Sequence, residues 1–177
     1  MSNPHTQFYD GIPMRGDLTI VVRDAKTGRK IRRISIRNKI TFLAADVLVV
    51  LLAQRAADPA AVTGMIYSMR MGLSNTPASR SDQNLGTFEI GKVLADVNKT
   101  IGVPGELEFT AQLEAGDANG VTLQEAGLFT RGTVASTSDA PGTLAGETLM
   151  FSRQIHPAIP KTSAIVLDYS WRIAFTA

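Results

Sequence analysis

Seven stretches of the sequence alternate apolar with polar residues, the period of two that is typical of β-strands with one buried face. The clearest lies at 163–176, where every second residue from Ile165 to Phe175 is large and apolar. The turn sequences DAKTG (24–28) and DANG (117–120) predict hairpins between their flanking strands. The pattern therefore predicts a mostly β protein, an antiparallel β-sandwich. The other six predicted strands lie at 17–24, 29–38, 65–71, 106–116, 121–130 and 147–155.

One segment, FLAADVLVVLLA (42–53), is apolar without this alternation. A membrane-spanning helix needs about 20 apolar residues, whereas runs of about 10–14 residues are more typical of core helices. Thr41 is a suitable N-cap, and Asp58-Pro59 is a suitable end. We therefore predict one buried α-helix, at about residues 41–57, that covers an open side or end of the sheets. We expect no membrane span.

The predicted strands and helix fit a single β-sandwich domain at 17–177, preceded by an extended N-terminal arm at 1–16. The first residues do not combine a basic start with an apolar run, so no signal peptide is expected. Two polar stretches, 72–86 and 130–147, interrupt the strand pattern. Loops of this length are usually functional or mobile, so the second is interpreted either as a contact arm or as a merely flexible loop.

Positive charge is concentrated in one predicted hairpin. Residues 23–39 contain eight lysines and arginines against a single acid, Asp24, so this segment carries +7 while the whole 177-residue chain carries +2. Such a segment is compatible with a solvated surface, with docking onto an acidic protein or a second copy, or with nucleic-acid binding. The chain has no recognisable nucleic-acid-binding motif and little aromatic interleaving. We therefore predict protein docking and expect no nucleic-acid partner.

Signatures of catalysis and metal binding are missing from the sequence. The chain has no cysteine, and its two histidines, His5 and His156, lack a histidine or carboxylate at i+3 or i+4. GLSNT (72–76) lacks the final glycine of a nucleophile elbow, and DANG has its glycine too early for an EF-hand. We therefore expect no enzyme activity, no cofactor and no metal, although carboxylates on different strands can still meet in the fold.

Several segments resemble small virion structural proteins of tailed bacteriophages. YSMRMGLSNTPASRSDQNL (67–85) is similar to a strand, glycine turn and Thr-Pro segment of these proteins. NGVTLQEAGLFTRG (119–132) contains a Glu-Ala-Gly-Leu-Phe motif that also occurs in tail fibre and tail-collar proteins. MFSRQIHPAIPKTSAIVLDYSWRIAF (150–175) resembles their closing hairpin with its Trp-Xaa-Ile-Xaa-Phe strand, and residues 11–33 resemble their opening hairpin. No fibre shaft follows, so the resemblance implies an attachment module or an adaptor.

The residues of these motifs allow local predictions. Gly127 is expected to mark a β-bulge or a close approach of backbones, with the next two residues on opposite faces. Glu125 lies in an apolar segment and is expected either to pair with an arginine, such as Arg153 or Arg172, or to face water at the rim. Trp171 is expected in the core, although an anchor at an interface is an alternative.

The resemblance implies a phage virion structural protein of the tail, neck or baseplate, acting by protein–protein assembly as a fibre adaptor or attachment module. The implied partners are other virion proteins and further copies of the chain in a homo-oligomer. A capsid decoration protein is the alternative, and an enzyme that acts on host-surface glycans is a third class. The residues predicted to form the protein interface are Arg29, Lys30, Arg32, Arg33, Arg37, Arg80 and Arg131.

Overall fold

The computed structural model describes residues 14–40, 66–93, 96–99, 105–131 and 147–175. These residues form nine β-strands and no helix. The predicted helix at about 41–57 lies outside the described residues, as do residues 1–13 of the predicted arm and 132–146 of the second polar loop. The strands are β1 (Met14–Asp24), β2 (Lys30–Ile40), β3 (Ile66–Gly72), β4 (Phe88–Val93), β5 (Asp96–Lys99), β6 (Glu106–Leu113), β7 (Thr122–Arg131), β8 (Glu147–Pro160) and β9 (Ile165–Phe175).

The strands are hydrogen-bonded in the order β4-β3-β7-β8-β2-β1-β9-β6-β5, and every pairing is antiparallel. This order has one weak point: β2 meets β8 only through the pairs Lys39–Arg153 and Ile40–Ser152. The fold therefore divides there into a first sheet, β2-β1-β9-β6-β5, and a second sheet, β4-β3-β7-β8. Two antiparallel sheets confirm the predicted mostly β class.

Both sheets contribute to one hydrophobic core. In β1, Leu18, Ile20 and Val22 are buried and alternate with partly exposed residues, as the period of two requires. In β9, the apolar row from Leu167 to Ile173 is buried, which confirms the predicted face. Met69 and Met71 in β3 and Leu123, Ala126 and Leu128 in β7 join the same cluster from the second sheet. Burial of these apolar faces against each other is the main source of stability.

The predicted hairpin at DANG is wrong, because β6 and β7 belong to different sheets. A two-residue hairpin turn at Asn-Gly needs a positive φ at both residues. Here the positive φ values fall at Ala118 (47°) and Gly120 (87°). The turn is wider: the Glu114 N–H donates to Asp117 Oδ2 at 2.7 Å, and the Asn119 amide donates to the Ala115 carbonyl at 2.9 Å. The chain thus arches from one sheet to the other.

The segment that resembles a closing hairpin forms a second arch. β8 pairs with β7 and β2, whereas β9 pairs with β1 and β6. The two arches are joined to each other, since the Gly120 N–H donates to the Lys161 carbonyl at 3.0 Å and the Lys161 N–H donates to the Val121 carbonyl at 2.9 Å. The Lys161 side chain is buried between them and donates to the Thr162 carbonyl at 3.0 Å. Burial lowers the pKa of Lys161, an effect opposed by Asp117.

The number of strands and several of their boundaries differ from the prediction. β1 begins at Met14, so the last three residues of the predicted arm are strand. β8 continues to Pro160 rather than ending at 155. β4 and β5 were not predicted, and they form the two ends of the strand order. Edge strands pair on one side only, and these two are short, which leaves little alternation to read from the sequence. The opening hairpin β1–β2 is confirmed, with Gly28 at φ 69° in its turn.

Candidate protein interface

The outward face of the first sheet is polar because the alternation that buries one face of each strand exposes the other. On β2 the outward side chains are Arg33, Ser35 and Arg37, all exposed. Asp17 in β1 lies opposite Arg37 on one side and opposite Arg172 of β9 on the other. Three neighbouring strands thus bring basic side chains together on one surface, which we call the basic face.

An open depression of about 310 Å³ lies on the basic face and is lined by four arginines and one acid. Arg15 pairs with Asp17 at 3.0 Å, and Arg172 pairs with Glu106 at 3.6 Å. Among the described residues, neither Arg33 nor Arg37 has an acidic side chain within 4.0 Å. The depression therefore carries excess positive charge on its β2 side. The charged lining residues are Arg15, Asp17, Arg33, Arg37 and Arg172.

Charges are balanced on the part of the outward face that continues beyond the depression. Arg23 of β1 contacts Asp168 of β9 at 2.5 Å, and Gln112 of β6 donates to the same carboxylate at 2.6 Å. The Ser170 hydroxyl of β9 donates to Glu108 of β6. The contrast shows that positive charge is concentrated at β2 and is neutralised by neighbouring strands elsewhere.

The seven predicted interface residues do not form one patch. Arg33 and Arg37 line the depression. Arg29 and Lys30 are exposed at the turn end of β2, and Arg32 is exposed on the opposite side of that strand from Arg33. Arg80 is exposed in the loop between β3 and β4, and Arg131 is the last residue of β7.

Two members of the basic face, Arg15 and Arg172, were missed because they are distant in sequence from the hairpin. Only the pairing of β1 with both β2 and β9 places them beside Arg37. Arg172 occupies an outward position in a predicted alternating strand, and that is the signal the sequence offered, whereas Arg15 lies in the predicted N-terminal arm. Strand order is needed to convert this signal into a surface.

One edge of β2 is open over most of its length. The Asp24 N–H donates to the Arg29 carbonyl at 2.9 Å, so Asp24 directs its backbone groups toward β2. β1 pairs regularly with β9 over its whole length. Along β1 the backbone N–H and C=O groups of successive residues point to opposite sides, so those of the even-numbered residues hydrogen-bond to β2. The β2 residues opposite them are Arg32, Ile34 and Ile36. It follows that Arg33, Ser35 and Arg37 direct their N–H and C=O groups away from β1.

On that open side β8 pairs with β2 only at Lys39 and Ile40. Among the described residues, no strand accompanies β2 from Lys30 to Arg37 on this side. Ile31, where the β1–β2 register shifts, is 55% exposed although it is large and apolar. We call the segment from Ile31 to Arg37 with its unpaired backbone groups the β2 edge.

The polar loop 73–87 is held by a buried carboxylate. Glu125 of β7 is fully buried and accepts hydrogen bonds from the N–H groups of Ser74 at 3.1 Å, Gly86 at 3.0 Å and Thr87 at 2.8 Å. Arg153 of β8 donates to the same carboxylate at 2.8 Å. The predicted pairing with Arg153 is confirmed, and the prediction of a water-facing Glu125 is wrong. The loop, which the sequence predicted only as a polar stretch between strands, is thus attached to the second sheet.

The Arg153 guanidinium makes further bonds to the loop, and we call Glu125 and Arg153 together the clamp. It donates to Asp82 of the loop at 2.7 Å and to the Thr76 carbonyl at 3.2 Å. Burial alone would lower the pKa of Arg153, but the hydrogen bonds to Asp82 and Glu125 outweigh it and raise that pKa above its ordinary value. Because the guanidinium stays charged throughout the physiological pH range, its bonds to the loop do not depend on its own titration. Arg80 is therefore displayed on a structured loop.

Gly127 confirms the predicted close approach of backbones. A Cβ atom there would lie 3.1 Å from the Ser152 carbonyl oxygen of β8 and 3.0 Å from the Phe129 ring. The register between β7 and β8 shifts directly after Leu128, but the extra residue is Phe151 of β8, so this bulge does not lie at Gly127. On the same side of the second sheet, Arg70 lies 4.0 Å from the centre of the Phe129 ring, in a cation–π contact. Burial lowers the pKa of Arg70 to about 10.

A buried histidine lies between the two sheets. His156 of β8 contacts the Tyr169 ring of β9 edge-on at 6.2 Å, and its Nδ1 lies 3.0 Å from the Pro157 carbonyl oxygen. In the part of the chain that is described, His156 Nε2, the Tyr169 hydroxyl and Trp171 Nε1 have no hydrogen-bond partner. Burial lowers the pKa of His156. Trp171 and Tyr169 are both buried, which confirms the predicted core position of Trp171.

Other classes of site were sought in the described ranges. These residues contain no cluster of three or more histidine or acidic side chains that could hold a metal ion. None of their elements is a helix long and apolar enough to cross a membrane. Comparison with protein-family models, curated proteins and solved structures gave no match.

Proposed function

We propose that the chain is a bacteriophage virion structural protein of the tail, neck or baseplate, acting as a fibre adaptor or attachment module. The proposal rests on the resemblance of residues 67–85, 119–132 and 150–175 to such proteins. Its partners are other virion proteins and further copies of the chain in a homo-oligomer, and the predicted helix at about 41–57 belongs to the same proposal. In this function the chain works by docking and carries out no reaction.

The observation that supports docking best is the row of basic side chains along β2, of which Arg33 and Arg37 have no acidic partner within the part of the chain that the structure describes. Nearby acids are already paired: Asp17 with Arg15, Asp168 with Arg23 and Glu106 with Arg172. Unneutralised charge on an ordered strand raises the association rate with an oppositely charged surface and selects against like-charged partners. Because the strand is fixed in a sheet, little conformational entropy is lost when it is covered.

The capsid decoration protein stays the alternative within the same class, because it needs an equally compact β scaffold. Antibody–gold labelling of intact particles separates the two positions. Gold confined to the tail, neck or baseplate supports the proposal, whereas gold distributed over the head supports a decoration protein. Particles without gold, from a culture in which the chain is expressed, would contradict a virion function altogether.

The role of the basic hairpin is tested by a serine variant in which Arg29, Lys30, Arg32 and Arg33 are replaced by serine. We expect lower occupancy in purified particles, with the difference from the unsubstituted chain largest at low salt and smaller at about 0.15 M, where exposed charges are screened. Unchanged occupancy would contradict docking through this hairpin. The control replaces Glu114, an exposed charged residue outside the predicted interface, by serine.

A further inference from the structure

We infer that the β2 edge binds an extended segment of a partner protein by strand addition, and that this segment alternates acidic with apolar residues. The inference rests on the proposed function, since it names the chemistry of the partner that the hairpin docks. An added strand would take the place beside β2 that β8 leaves open before Lys39. Its main chain would bond to the outward backbone groups of Arg33, Ser35 and Arg37.

The alternation follows from the two faces of β2. A strand added at the β2 edge places successive side chains on opposite faces of the sheet. On the outward face its neighbours are Arg33 and Arg37, whose charges have no acidic partner among the described residues. On the inner face they are Ile34, which is buried, and Ile36, which is half-buried. Acidic residues therefore suit the outward positions and apolar residues the inner ones.

A second copy of β2 is not a suitable partner for this edge. Antiparallel pairing of two β2 strands would oppose like charges at short distance, which destabilises a sheet. Natural edge strands use basic side chains to prevent such self-association. The same charges attract an acidic segment, so the sequence of β2 discriminates between the two partners.

A nucleic acid fits the edge less well than a peptide. Phosphate contacts would use the arginine side chains but not the outward N–H and C=O groups in their strand geometry. The exposed Ile31 also gains nothing from a phosphate backbone. Moreover, binding of single strands commonly uses exposed aromatic side chains on which bases stack, and the segment 29–37 has no aromatic residue.

Ser35 allows strand addition to be separated from simple charge attraction. Ser35→Pro removes one outward N–H group. It leaves the charge of β2 and the backbone hydrogen bonds between β2 and β1 unchanged. A proline is tolerated on an edge strand when its nitrogen faces solvent. The matched control is Ser35→Ala, which also removes the 3.3 Å contact between the Ser35 and Thr19 hydroxyls but keeps the N–H.

The experiment measures fluorescence anisotropy of a labelled peptide of about ten residues that alternates Glu and Val, long enough to cover a strand. We expect the full chain to bind it, Ser35→Pro to weaken binding by about tenfold through a lost hydrogen bond and the blocked approach, and Ser35→Ala to change it by less than about twofold. Arg33→Gln/Arg37→Gln should weaken binding more than Lys26→Gln/Arg29→Gln, which removes the same charge at the turn.

Amide hydrogen exchange on the unsubstituted chain gives a readout that does not depend on how the proline variant folds. Peptide binding should protect the amides of Arg33, Ser35 and Arg37, whereas those of Arg32 and Ile34 are already bonded to β1. No binding, or binding without protection of these three amides, would overturn the inference.

Two outcomes distinguish the inference from the proposed function. If Ser35→Pro and Ser35→Ala bind the peptide equally while the charge variants lose it, strand addition is refuted but docking through charge stands. If oligothymidine of about ten nucleotides binds as tightly as the peptide and is insensitive to Ser35→Pro, the ligand is a nucleic acid and the inference is overturned. Failure of the proposed function itself would appear as particles without gold, whereas unchanged occupancy of the serine variant would contradict docking through the hairpin.

Discussion

Replacement of Glu125 by glutamine should destabilise the protein strongly, although the two side chains have nearly the same shape. The carboxylate accepts four hydrogen bonds, from the backbone of Ser74, Gly86 and Thr87 and from Arg153, at 2.8–3.1 Å. A carboxamide offers one oxygen and presents its NH₂ group to donors. At least two of the four bonds are therefore lost, and the surrounding N–H groups are left buried.

The magnitude follows from the charge of the acceptor. A hydrogen bond to a charged group contributes about 1.5–3 kcal/mol, and removal of one partner of a buried ion pair costs about 3–5 kcal/mol. Because Arg153 retains its bond to Asp82 at 2.7 Å, we expect a loss of about 3–4 kcal/mol in the free energy of unfolding. For a chain of this size that corresponds to a fall in Tm of about 10 °C.

Urea unfolding followed by the fluorescence of Trp171, the single tryptophan and a fully buried one, measures this loss. Glu114→Gln is the control, since Glu114 is exposed and its replacement should change the free energy by less than about 0.5 kcal/mol. The rate of trypsin cleavage after Arg80, measured without urea, shows separately how well the loop is held. It should be faster in Glu125→Gln than in the unsubstituted chain. Unchanged stability together with unchanged cleavage would refute the clamp.

Three further outcomes are expected. Gly72→Ala should lower the free energy of unfolding by about 2–3 kcal/mol, because the added Cβ would overlap the Thr87 carbonyl oxygen. Gly116→Ala, where the Cβ meets open space, should leave that free energy unchanged. Equal unfolding curves for the two variants would contradict this expectation. Because burial holds the pKa of His156 below its ordinary 6.5, the fold should lose stability as pH falls below about 6.5, where the unfolded chain takes up a proton before the buried imidazole does. His156→Gln should flatten that dependence; a parallel profile would exclude His156 as the cause. The serine variant should keep the free energy of unfolding of the unsubstituted chain within about 0.5 kcal/mol, since the four replaced side chains are exposed. A larger loss would mean that its lower occupancy in particles reflects poorer folding and not weaker docking.

The parts of the fold that the sequence predicted are those that local periodicity determines. β1 and β9 alternate strictly because each buries one face in the core, and their buried residues were identified correctly. The two arches were not predicted, because Asn119-Gly120 resembles a hairpin turn locally and the segment 150–175 resembles a closing hairpin. Whether two consecutive strands pair or pass to another sheet depends on contacts between the turns, such as those of Lys161 with Val121 and Gly120.

The same division applies to the candidate site. The excess charge of residues 23–39 is a property of composition, so it was visible in the sequence. The addition of Arg15 and Arg172 depended on strand order, and the open edge of β2 depended on where β8 leaves it. Only one part of the clamp on the loop 73–87 could be predicted. Glu125 was identified as a charged residue in an apolar segment, but the loop N–H groups that donate to it lie 38–51 residues away in sequence.

Photo-cross-linking in assembled particles tests most directly whether β2 docks another protein. Ile31, which is 55% exposed at the β2 edge, is replaced by benzoylphenylalanine, and the exposed Glu114 is replaced in the control chain. We predict that irradiation links residue 31 to a different virion protein, within a segment that alternates acidic and apolar residues, and that residue 114 gives no such product. Products from residue 114 alone, or none from residue 31 in particles that contain the chain, would contradict docking through β2.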